Sequence, residues 1–189
     1  MELVYTTDLK SVAQGLTGSN PVSATKLFKE VKMAKVLFLH GLESKPGGTK
    51  AKHLEKMGHT VLNPALPKYS FEESIAIAQG VIDREMPDVV VGSSRGGAVA
   101  MCLNPGYAKT VLIAPAWSHF RQTAGSAVSP STMILHSEKD KVVLLEDSTH
   151  LAKTYGATLV RVGDCHRMND EQALEALEDA VTWQAERVR

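Results

Sequence analysis

Gly92-Ser93-Ser94-Arg95-Gly96 fits the pattern G-x-S-x-G, follows the apolar run Val89–Val91 and opens a helix-forming stretch near Gly96. In a strand-turn-helix setting, that pattern holds its central serine in a strained turn with the hydroxyl exposed, so its neighbours must be small. Gly92, Gly96, Gly97 and Ala98 meet this need. A serine hydroxyl is a weak nucleophile until a base removes its proton, and an imidazole with an unperturbed pKa of about 6.5 suits that task. In this arrangement the partners follow in the order acid, then histidine. Asp140, in His136-Ser137-Glu138-Lys139-Asp140, and His166, in Gly163-Asp164-Cys165-His166, follow two later apolar runs in that order. The competing reading is a Gly-Ser-rich turn that closes packing or binds a phosphate at the helix N-terminus.

Each candidate has rivals. Ser93 neighbours Ser94 but holds the second position of the motif. Glu138, Asp147 and Asp164 compete with Asp140 for the acid, and His40, His136 and His150 compete with His166 for the base. His40 and His136 end apolar runs and are expected to orient backbone at the site, with His40 beside the substrate pocket. Trp117 and Phe120 follow a further run and either line that pocket or plug the core edge. Asp164, Cys165 and His166 are too close in sequence to wrap one ion, and no other ligand spacing is recognisable, so no metal is expected. No cofactor is expected either.

The elements that must position these groups read as short apolar runs alternating with helical patterns. Val36–Leu39, Thr60–Leu62, Asp88–Val91, Val111–Ile113, Met133–Leu135 and Leu159–Val162 are the predicted strands. Between them lie helices carrying Ala51, Leu54 and Met57; Ile75, Ala78, Val81 and Ile82; Ala98 to Leu103; and Leu151 to Tyr155. A last helix buries Ala173, Leu174, Leu177, Ala180, Val181 and Ala185. Ser70 with Glu73, and Asn169 with Gln172, have capping spacing. Repeated strand-helix alternation predicts an α/β fold with a doubly wound, mostly parallel sheet. Ser94, Asp140 and His166 would then all sit at carboxyl ends of strands, where such a sheet builds its site.

From Lys35 onward the chain resembles a small single-domain bacterial esterase of the α/β-hydrolase superfamily. The resemblance rests on His40-Gly41, the turn at Ser94, Asp140 followed by Val143, and His166 in Gly-x-x-His. It implies a Ser94-His166-Asp140 triad and hydrolysis of small soluble carboxylic esters through an acyl-enzyme. It also implies an oxyanion hole from the backbone N–H groups of Leu42 and Arg95. One departure is Ser137, where the family often has glycine. Only Ala116 to Pro130 separates the fourth run from the fifth, too little for a cap or lid, so a minimal fold with an open site is expected. Thioester hydrolysis or acyl transfer on the same triad, and a non-catalytic binding module, are the competing functions.

The chain has 189 residues, with 21 Lys and Arg against 21 Asp and Glu. A balanced charge argues against nucleic acid as a partner. No apolar run reaches the ~18 residues that span a bilayer, so no membrane partner is expected. Cys102 and Cys165 make no disulfide framework, which suggests the cytoplasm. A small-molecule ester is the expected partner, and the oligomeric state is left open. Residues 1–32 are turn-rich and lack sustained periodicity, so they read as an N-terminal extension to a domain at 33–189. The extension is expected either to be poorly ordered or, since Gly18-Ser19-Asn20-Pro21 resembles a transfer-RNA gene read as protein, to lie upstream of a true start at Met33.

Overall fold

A computed structural model describes residues 32–120 and 127–188. Six strands are formed: β1 (Lys35–Leu39), β2 (Thr60–Leu62), β3 (Val89–Ser93), β4 (Lys109–Ile113), β5 (Met133–His136) and β6 (Thr158–Arg161). They alternate with α1 (Thr49–Lys56), α2 (Phe71–Glu85), α3 (Arg95–Met101), α4 (Leu145–Tyr155) and α5 (Glu171–Ala185). The strands make one sheet in the order β2-β1-β3-β4-β5-β6, and every pairing is parallel. Residues 1–31, on which nearly all of the expected extension falls, lie outside the described residues.

The unbroken apolar runs form strands because both faces of the sheet are covered. Val36, Phe38, Val91, Val111 and Leu135 pack under α1 and α5. Leu37, Leu39, Val90, Leu112 and Ile134 pack under α2, α3 and α4. The sheet is therefore doubly wound, and its strand order reverses between β1 and β3. Phe38 pairs with Val91 and Leu39 with Gly92, so those two carboxyl ends finish level. A crevice opens at such a reversal, and the residues after both strands face it.

The helix ends follow capping chemistry. Ser70 caps α2 as its spacing predicts, accepting the Glu73 N–H at 3.2 Å. Asn169 does not cap α5; Asp170 does, accepting the Ala173 N–H through one oxygen and the Asp164 N–H through the other. An acceptor-only carboxylate serves both donors, while Asn169 is engaged by Lys50. The fourth helix begins at Leu145, earlier than its apolar residues suggest, because its first turn is the polar Glu146 and Asp147. None of the described helices is long and apolar enough to cross a membrane.

Candidate functional site

Ser94 joins β3 to α3 with φ 54° and ψ −118°, a conformation that L-residues rarely adopt. Surrounding hydrogen bonds hold it there. Its N–H donates to the Ile113 carbonyl at 2.8 Å, and its own carbonyl accepts from Gly97 at 2.9 Å and Ala116 at 3.0 Å. The turn needs its glycines for close approach. A Cβ on Gly96 would collide with the Leu39 carbonyl, and one on Gly92 would come within 2.6 Å of the Gly96 carbonyl.

The loop after β6 brings His166 to the serine. His166 Nε2 lies 3.0 Å from Ser94 Oγ, and His166 Nδ1 lies 2.7 Å from Asp140 Oδ2. With the Nδ1–H donating to a carboxylate, Nε2 is left as an acceptor facing the hydroxyl. Asp140 reaches His166 from the loop after β5, and its side chain has no exposed surface. Its Oδ1 accepts the N–H groups of Val142 at 2.7 Å and Val143 at 3.0 Å. Such charge-assisted bonds offset the cost of burying a carboxylate.

Two braces hold these loops together, and neither was among the predicted site residues. The Ser137 hydroxyl donates to the Gly163 carbonyl at 2.8 Å and accepts the Lys139 N–H at 3.1 Å. The departure from glycine thus ties the Asp140 loop to the His166 loop. Lys50, from the first turn of α1, donates to the Arg167 carbonyl at 2.5 Å and to Asn169 Oδ1 at 3.1 Å. Burial pushes its pKa down to about 8. Ser137 carried a signal, since a hydroxyl in a turn seeks backbone partners. Lys50 carried none, lying 117 residues from the carbonyl it holds.

The other predicted residues fall as follows. His40 is buried and spends both ring nitrogens on backbone. Its Nδ1–H donates to the Gly41 carbonyl at 2.9 Å, and Nε2 accepts the Leu66 N–H at 3.1 Å. Leu42 stands exposed in the loop beyond it. The Arg95 N–H opens α3 and so has no carbonyl within the helix to bond. The Arg95 side chain turns inward, 2% exposed, against the stacked rings of Phe71 and Phe120. Trp117 stacks on His150 and donates its indole N–H to the Asp147 carbonyl.

Among the rivals, Ser93 ends β3 in register with Ile113. Glu138 pairs with Arg161 at 3.3 Å, and the Asp147 carboxylate takes the Ser118 hydroxyl at 2.5 Å. Asp164 is exposed. Among the described residues, no three of His, Cys, Asp and Glu are grouped to hold a metal. A cavity of about 360 Å³ lies at the amino end of β4, bounded by Lys109, Thr110, Ser131 and Arg187. It is at the opposite end of the sheet from Ser94.

The profile of the Uncharacterised protein family (UPF0227) matches residues 35–129. No curated protein matches the sequence. Solved structures do. A Xanthomonas campestris protein assigned to the alpha/beta hydrolase superfamily is 21% identical, with a TM-score of 0.62 over 81% of this chain and 98% of that one. Est1E from Butyrivibrio proteoclasticus, with ferulic acid bound, is 16% identical, with a TM-score of 0.67 over 84% and 92%. MGS-MChE2, an alpha/beta hydrolase enzyme from a lagoon-sediment metagenome, is 18% identical, with a TM-score of 0.65 over 82% and 92%. At these identities the likeness establishes the α/β-hydrolase fold.

Proposed function

The chain belongs to the Uncharacterised protein family UPF0227, and we propose that it is a serine hydrolase of small carboxylic esters. One observation carries the reading: the unbroken run from Ser94 Oγ to His166 at 3.0 Å and from His166 to buried Asp140 at 2.7 Å. Fold alone would not suffice, since unrelated functions share it.

His166 Nε2 removes the Ser94 proton as Oγ attacks the ester carbonyl carbon, and Asp140 stabilises the resulting imidazolium. The carbonyl oxygen becomes an oxyanion, which accepts the N–H groups of Arg95 and Leu42. As the tetrahedral intermediate collapses, the ester C–O bond breaks and His166 hands its proton to the departing alcohol. A water then repeats the sequence on the acyl-Ser94 ester, releasing the carboxylic acid and restoring the serine. The short connection between β4 and β5 favours a small, soluble substrate over one that needs a lid.

A fluorophosphonate probe followed by peptide mapping tests this reading, together with a panel of p-nitrophenyl esters and acyl-CoA thioesters. Label on Ser94 with turnover of short esters is the expected result. A chain that neither labels nor turns over any ester overturns it.

A further inference from the structure

His136 closes β5 four residues before Asp140, and its side chain has no exposed surface. Its Nδ1 lies 2.6 Å from Ser148 Oγ on α4. Its Nε2 lies 3.1 Å from the Val143 carbonyl and 3.3 Å from Asp140 Oδ2. Both neighbours of Nε2 only accept, so Nε2 carries the proton of the neutral ring. Nδ1 then accepts from the Ser148 hydroxyl, and one tautomer satisfies every contact. Burial holds the ring below the usual histidine pKa and so keeps it neutral. The titratable groups facing it are Asp140, on the following loop, and His166 beyond; α4 presents the uncharged Ser148.

Two series of donors therefore converge on one oxygen. From one side the Ser94 hydroxyl donates to His166 and His166 donates to Asp140 Oδ2. From the other, Ser148 donates to His136, whose Nε2–H donates to the Val143 carbonyl with Nε2 3.3 Å from the same Oδ2. The far oxygen, Oδ1, is held by backbone alone.

We propose that His136, locked in one tautomer by Ser148, is a positioning residue that fixes the Asp140 oxygen on which His166 is aimed. The proposal rests on the reading of Ser94, His166 and Asp140 as the catalytic group. A second N–H on Oδ2 does two things. It pins the carboxylate's rotation, and it draws off part of the negative charge that would otherwise act on His166 alone. Without it, Asp140 would hold the imidazolium formed during catalysis more strongly, and the acid limb of activity would move to higher pH.

The test is the pH profile of kcat/KM for p-nitrophenyl acetate on the full chain, with H136F, H136Q and S148A beside wild type. H136F should lose up to about 100-fold, chiefly in kcat, because a displaced orienting group costs that much. Its acid limb should also move to higher pH. H136Q, whose amide N–H can reach Oδ2, should recover most of both, and S148A should move the limb in the same direction by less. A profile of wild-type shape in both H136F and S148A overturns the proposal.

Nitrogen-15 imidazole NMR on the wild type keeps the question open to decision even if H136F fails to fold. His136 should show a protonated Nε2 and a bare Nδ1, with the tautomers mixed in S148A. A turning-over wild type in which Nδ1 carries the proton overturns this proposal alone. A wild type that neither turns over nor labels overturns the functional reading, and the proposal with it.

Discussion

Arg95 Nη2 stands 2.9 Å from the carbonyl oxygen of Pro67, so the side chain that directly follows Ser94 fastens the α2 entry. The same nitrogen lies 3.0 Å from the Ser70 carbonyl and 2.9 Å from Ser74 Oγ, and burial pulls the guanidinium below the usual arginine pKa. Arg95→Met would leave these buried acceptors without their donor, at about 2–4 kcal/mol. A melting temperature lower by roughly 5–15 °C is expected by calorimetry. A fall of less than a degree would mean that the guanidinium contributes no net stability.

Ser94→Ala and His166→Ala should each lose about 10⁶-fold in kcat, and the double variant little more, because such groups act as a unit. Asp140→Asn should lose about 10⁴-fold through the wrong imidazole tautomer. Background-subtracted hydrolysis of p-nitrophenyl acetate reads all four. Wild-type turnover by Ser94→Ala would remove the serine from the mechanism, and a larger loss in Asp164→Asn than in Asp140→Asn would move the acid.

Stability should fall on mild acidification. His59 is buried, its Nδ1 accepts the Ala34 N–H at 3.2 Å, and burial lowers its pKa from the ordinary value of 6.5. A folded pKa below the unfolded one means that the unfolded chain takes up the proton first. The stability is therefore complete above about pH 6.5 and drains as pH falls toward the folded pKa. Urea midpoints measured from pH 7.5 to 5 should decline. The decline should be shallower in His59→Gln, whose amide oxygen can accept the same N–H; an equal slope would place its source elsewhere.

Trimming the chain to residues 33–189 removes the Lys32 ammonium from the Ala185 carbonyl, a 2.8 Å contact at the end of α5. That contact should be worth no more than about 3 °C of melting temperature. Ester turnover should stay at the full-length value. A trimmed chain that precipitates or melts far lower would give residues 1–32 a structural role.

Much of the architecture was legible because its signal is local. Apolar runs such as Val36–Leu39 and Val89–Val91 are strands wherever both faces are covered, and Ser70 needs only Glu73 to cap α2. Ser94, Asp140 and His166 were legible through order and loop position, and the structure brings their side chains within hydrogen-bonding distance. What escaped depends on partners far along the chain. Arg95 could be assigned a partner only once the loop before α2 lay beside it. Lys50 and the His166 loop meet because α1 and α5 pack on the same sheet face. Asn169 had capping spacing with Gln172, yet Asp170, one residue on, is the cap. The second N–H at Asp164, folded back onto Asp170, decides between them.

The serine and its proposed base lie 72 residues apart, with the base on the loop beyond the edge strand β6. Parallel strands dock only after their crossovers close, and β6 pairs with β5 at the margin of the sheet. On the proposed chemistry, a nascent or half-folded chain holds Ser94 as an inert hydroxyl, however well its own turn has formed. The nucleophile is armed only once β6 has docked. Probe labelling of Ser94 during refolding would therefore clock the docking of β6, and a chain that lacks it could not spend its reactivity on neighbouring molecules.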